Sequence, residues 1–267
     1  MFKRVMGIIA AMAMVAAMGS SAYAEGMNCW FPPEWKSKPE QAQGIAQALS
    51  AETGIVIKPR IAKSYPEILT AFNTPEQNLV YVGSFVQAII KARGLGTALV
   101  QNINGKDLYS GVFVYPKDGD PETILKSHPS EIAFALGASS GESSAKAATA
   151  GAASIGTPNH GATCAAIKSG KAKGGFVKNW WWDSNKDKYP ELAMYEVPGV
   201  SIVKNPDNVL TASKAVPDDV QQKITAAAIK VKDAFAAPEM AAFDQSRVDY
   251  PLQLMAKGKI DPMAYNW

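Results

Sequence analysis

Hydrophobic and polar positions along this chain alternate between two periods. From Gln41 to Glu52 (QAQGIAQALSAE), Ile45, Ala46, Ala48 and Leu49 fall on one helical face, and Thr53-Gly54 ends the run. Ile55 to Ile61 (IVIKPRI) reads as a short strand. Ser64 is placed as an N-cap with Glu67 three residues on, the spacing of a capping box, which predicts a helix from there. Leu79 to Val82 (LVYV) predicts a buried strand, and Gly83-Ser84-Phe85 turns into a helix over Val86 to Arg93. Strand and helix in this alternation imply parallel βαβ units with both sheet faces covered.

The pattern then restarts. Tyr109 to Tyr115 (YSGVFVY) and Glu131 to Leu136 (EIAFAL) predict strands, and a serine-rich turn at 139–144 leads into an alanine-rich helix that ends near Gly151. Asn159 caps a short helix that stops at Gly170, Gly174 to Lys178 (GGFVK) is the next strand, and Asp218 to Phe235 is a long helix. A terminal amphipathic piece, Pro238 to Met255, follows.

The first residues change the picture of where the chain works. Lys3 and Arg4, the apolar run Val5 to Met18 and the A-x-A ending at Ala24 describe a secretory signal peptide, predicting a mature chain from about Glu25 in the periplasm. Of 27 basic residues, removal of Lys3 and Arg4 leaves 25 against 24 acidic ones. That near balance argues against nucleic acid or a polybasic membrane role. Two cysteines, Cys29 and Cys164, remain in an exported chain. An oxidising compartment permits a disulfide, and two buried free thiols are the alternative. Their spacing with His128 and His160 does not fit a metal site.

The ordered pieces AETG, KPRIAKSYPEILTAF, LVYVGSFV, SGVFVYPKDG, EIAFALGASSGESS, NHGATCAAIKSGKAKGGFV and VPDDVQQKITAAA resemble the phosphate/phosphite/phosphonate-type periplasmic binding proteins of ABC importers, from about Gln41 to Phe235. The resemblance implies the two-lobed type II α/β fold, each lobe a mostly parallel sheet flanked by helices, with a ligand cleft between. Residues 25–107 and 213–267 would form lobe 1, and residues 108–212 lobe 2. It also implies a monomer that captures a small oxyanion by lobe closure and hands it to a permease, with no cofactor and no catalytic residues. Some relatives sense ligands for membrane kinases, so a sensory subunit binding arsenite or an organic cation is the alternative.

Candidate ligand residues cluster at element starts. Ser139, Ser140, Ser143 and Ser144 surround a helix N-terminus, where free N–H groups and the positive dipole end favour an oxyanion; simple capping is the competing role. Glu142 can accept a proton from a protonated oxyanion, pair with an ammonium group, or complete the capping box. Asn159 and His160 open the next helix and match a cleft-facing pair of the family. Tyr65 and Ser84 sit at family contact positions in lobe 1, Ser84 at the carboxyl end of a strand. Trp30 and Trp180 are candidate cleft walls that would favour an organic substituent or a cation. Cys29 and Cys164 could approach the cleft from opposite lobes as a disulfide or a soft-ligand pair. The chain carries no G-x-S-x-G, H-E-x-x-H, P-loop or G-x-G-x-x-G pattern, so a hydrolase is the weakest reading.

Overall fold

Short apolar runs rich in β-branched and aromatic residues form the strands, and alanine-rich stretches between them form most of the helices. The computed structural model describes residues 26–103, 105–137 and 140–267. The expected signal peptide at 1–24 lies outside the described residues. The first half runs β1 (Met27–Phe31), α1 (Pro39–Thr53), β2 (Ile57–Ile61), α2 (Tyr65–Phe72), β3 (Asn78–Val82), α3 (Ser84–Ala92), β4 (Gly96–Ile103), β5 (Leu108–Tyr109), β6 (Gly111–Pro116), α4 (Pro121–Ser127) and β7 (Ile132–Ala135). The second runs α5 (Ser140–Ala148), β8 (Ile155–Thr157), α6 (His160–Lys168), β9 (Gly174–Lys178), α7 (Asn179–Asn185), β10 (Leu192–Tyr195), β11 (Asn205–Pro206), β12 (Val209–Ser213), α8 (Asp218–Lys230), β13 (Glu239–Ala242) and α9 (Asp249–Lys257).

Two sheets result. The first has the order β13-β4-β12-β3-β1-β2 and the second β10-β6-β9-β7-β8. They are mixed, where mostly parallel sheets were expected. β1 runs parallel to β2 and β3, and β7 parallel to β8 and β9, while the other neighbours are antiparallel. The reason is topological. β4 carries the chain towards the second lobe and β12 brings it back beside β4, so the two must point in opposite directions. β12 pairs with β3 and β4, so the return crossover lies before Val209 and not after residue 212 as expected. In the crossovers, β5 and β11 form a small antiparallel ribbon that sets Tyr109 opposite Asn205.

Helices cover both faces of each sheet. In lobe 1, Ile45 and Leu49 of α1 and Val220 and Ile224 of α8 bury one face. Ile68 and Phe72 of α2, with Phe85 and Ile89 of α3, bury the other. Truncating a fully buried side chain such as Ile224 to alanine costs about 2–5 kcal/mol. Lobe 2 has its own two cores, one under α6 around Cys164 and Val177 and one around Phe113, Phe134 and Phe176. α9 spans both lobes, giving Leu254 to a lobe 2 core and Met255 to a lobe 1 core.

Local signals mostly hold. Gly54, at φ +67°, ends α1 with its N–H on the Ser50 carbonyl, as the Thr53-Gly54 stop predicted. The box at Ser64 does not form as expected. Glu67 accepts from the Lys63 N–H at 2.6 Å, but the Ser64 hydroxyl makes no capping bond. α8 stops at Lys230, with a 3-10 turn carrying the chain on to Phe235. The terminal amphipathic piece opens as strand β13 before becoming α9.

Candidate functional site

A cavity of about 260 Å³ lies where the lobes and crossovers meet. Lobe 1 contributes Glu34 and Gly83, and the crossovers contribute Tyr109, Asp207 and Asn208. Lobe 2 contributes Asn159, His160 and Lys178. Gly83 follows β3, Asn159 and His160 follow β8, and Lys178 ends β9, so these cavity-lining groups sit at carboxyl ends of strands, where ligands bind in open α/β sheets.

Asn159 caps α6 through its side-chain oxygen, which accepts from the Ala162 N–H at 2.9 Å. His160 begins the helix with its Nδ1 buried and without a hydrogen-bond partner. Burial, reinforced by the nearby Lys178 ammonium, pushes the imidazole down to about 4, so it is neutral near pH 7. Lys178 Nζ pairs with Asp207 Oδ1 at 2.6 Å and lies 3.9 Å from the Trp180 ring centroid and 4.2 Å from that of Tyr109. Glu34 stands at the mouth. It receives the Tyr65 hydroxyl at 3.1 and 3.2 Å; the residue is exposed, but the protein crowded around its carboxyl raises it above the usual range. Lys178 and Asp207 cancel, which leaves Glu34 as the uncompensated charge among the lining groups named.

The serine-rich start of α5 is occupied differently. The Tyr109 hydroxyl accepts from the Ser140 N–H at 3.0 Å and shares a 2.8 Å hydrogen bond with Ser84 of lobe 1. Ser143 turns back to the Ser140 carbonyl, and Ser144 is buried where Gly111 allows β6 to approach. Ser140 Oγ is buried without a partner. Ser139 lies outside the described residues.

A family model described as "ABC transporter, phosphonate, periplasmic substrate-binding protein" matches residues 32–248. The chain belongs to this family. Solved structures of the same fold include PhnD1 of Prochlorococcus marinus in complex with methylphosphonate, at 14% identity and TM-score 0.65, covering 87% of this chain and 98% of that one. A binding protein component of an ABC phosphonate transporter from Pseudomonas aeruginosa is 14% identical with TM-score 0.64, covering 88% of this chain and 87% of that one. A Xanthomonas citri protein bound to ATP is 12% identical with TM-score 0.69, covering 88% of this chain and 98% of that one. No curated protein matches the chain in sequence.

In this ABC-transporter binding protein the remaining candidates take other places. Glu142 is buried, pairs with Lys146 at 3.0 Å, and accepts from the Gly137 N–H and the Tyr265 hydroxyl. These three contacts hold the carboxylate within the protein, and Glu142 is not among the residues that line the cavity. Tyr65 reaches the cavity through Glu34, and its ring stacks on Trp267 of the C-terminal tail. Trp30 donates to Asn78 and packs on a lobe 1 core. Of the three consecutive tryptophans, Trp180 turns towards Lys178 and Tyr109, Trp181 packs on His160, and Trp182 is buried in a lobe 2 core.

Cys29 and Cys164 are free and buried in the cores of different lobes. Burial pushes both thiols up to about 12. Neither a disulfide nor a shared soft-ligand site forms, because β1 and α6 place each sulfur inside its own core.

Sequence reasoning missed Glu34, Tyr109, Lys178 and Asp207. The strand-end rule that picked Ser84 also marks Lys178, but it was not applied there; only Trp180, two residues on, was named, as a cleft wall. The crossover residues Tyr109 and Asp207 carry no such local signal.

Proposed function

We propose that this family member captures a small oxyanion of the phosphonate, phosphite or phosphate type between its lobes and delivers it to an ABC importer, working in the periplasm after loss of residues 1–24. The observation that carries the reading is the interlobe cavity with the unpartnered, buried Nδ1 of His160 at its wall. A buried polar atom left unpaired costs about 1–3 kcal/mol, so a ligand that satisfies it gains that energy back. In its Nδ1–H tautomer the neutral imidazole donates to an oxyanion oxygen, and the Lys178 ammonium, paired with Asp207, lines the same cavity. Glu34 opposes a fully ionised ligand but accepts a hydrogen bond from a P–OH group, which favours the singly charged form. Lobe 1, lobe 2 and the crossovers all line the cavity, so closure is stabilised by contacts no open form can make together. The methylphosphonate complex of the Prochlorococcus relative supports the same ligand class.

A thermal-shift and calorimetric panel on the mature protein tests this with methylphosphonate, phosphite, phosphate and sulfate. A true ligand at 100 times its Kd adds about 2.7 kcal/mol, a Tm rise on the order of 5–10 °C. No shift with any phosphorus oxyanion contradicts the proposal.

A further inference from the structure

The surroundings of Lys178 resemble a binding site more than a surface ion pair. Its Nζ has the Trp180 ring at 3.9 Å, the Tyr109 ring at 4.2 Å and the Asp207 carboxylate at 2.6 Å. The Lys178 side chain is 17% exposed and that of Asp207 25%. Three segments build this cage: β5 supplies Tyr109, the first turn of α7 supplies Trp180, and the turn after β11 supplies Asp207. Two aromatic rings and one carboxylate are the composition that recognises an organic ammonium group, by attraction to the ring quadrupoles and by charge pairing. Here the occupant is tethered. The chain's own ammonium fills the cage, and Lys178, Tyr109 and Asp207 all line the ligand cavity.

Resting on the reading of that cavity as the ligand site, we propose that Lys178 is a built-in cation that sets specificity. The ligand carries an oxyanion head and no ammonium group. A ligand bringing its own cation finds both rings and the Asp207 carboxylate already taken by Lys178, so its ammonium would lose its water without gaining that cage. A ligand without one leaves the Lys178–Asp207 pair intact and brings only the anion.

The test uses the mature protein and calorimetry with methylphosphonate and 2-aminoethylphosphonate. The expected wild-type result is at least a tenfold preference for methylphosphonate. In Lys178→Ala, and in Lys178→Met, which keeps most of the stem volume, the preference narrows or reverses by at least tenfold. A separate arm adds methylammonium or ethylammonium alone at millimolar concentration. It should raise the Tm of Lys178→Ala and leave the wild type unmoved. This arm needs no oxyanion binding, so it separates failure of the cage from failure of the oxyanion reading. Equal wild-type affinity for both phosphonates, or amines that stabilise neither variant, overturns the proposal.

Discussion

Two helix starts in lobe 2 carry nearly the same sequence signal and meet different fates. Each follows a parallel strand, α5 after β7 and α6 after β8, and each opens with polar residues suited to an anion. At α6, the cap is made by Asn159, and His160 is left unpartnered at the cavity wall. At α5, the Tyr109 hydroxyl accepts the Ser140 N–H while also joining Ser84 across the lobes. Glu142, two residues on, is tied to Lys146, Gly137 and Tyr265. Residue types at a helix start therefore say which donors exist. Tyr109 takes up the Ser140 N–H, while the Ser140 and Ser144 hydroxyl oxygens stay buried without partners and, unlike His160, do not line the cavity.

The largest effect should come from His160. His160→Ala removes a hydrogen bond to a charged ligand, worth about 1.5–3 kcal/mol, and should weaken oxyanion binding roughly 10- to 100-fold by calorimetry. An unchanged Kd would break the comparison at its open end. Glu142→Gln should do the reverse, lowering stability by about 1–3 kcal/mol in denaturant unfolding while ligand affinity stays within about threefold. An affinity loss matching that of His160→Ala would return Glu142 to the ligand site.

The pH dependence is spread over more than two pH units, and its sign is fixed. The His160 imidazole is held down near 4 when folded and returns to about 6.5 when unfolded, so the unfolded chain binds the extra proton between these values. Its contribution to stability is fully present above pH 6.5 and is lost as the pH falls towards 4. Tm measured across that window should drop less steeply in His160→Gln than in the wild type. Identical slopes would show that the imidazole is not buried as described.

Much of the fold was legible because strong periods coincide with burial. α1, β3, β9 and α8 were placed within a few residues, since Ile45 and Leu49, the run Leu79 to Val82, and Val220 and Ile224 face cores. β4, β12 and β13 were not. Thr211 and Ser213 interrupt β12 with polar groups buried by partners from Gln87 and Asn78, and the Glu-Met-Ala-Ala of β13 reads as helix. The site was half legible. Asn159 and His160 could be found from a local helix-start rule. The Lys178 cage draws on positions 109, 178, 180 and 207, and no local rule joins residues about a hundred positions apart.

The most direct measurement is a crystal structure of the mature protein grown with methylphosphonate. The account predicts the phosphonate in the interlobe cavity, an oxygen within hydrogen-bonding distance of His160, and the Tyr109 hydroxyl still joining Ser84 to Ser140. A phosphonate bound on the Ser140 N–H with Tyr109 displaced would contradict it, and would make the α5 start the anion site after all.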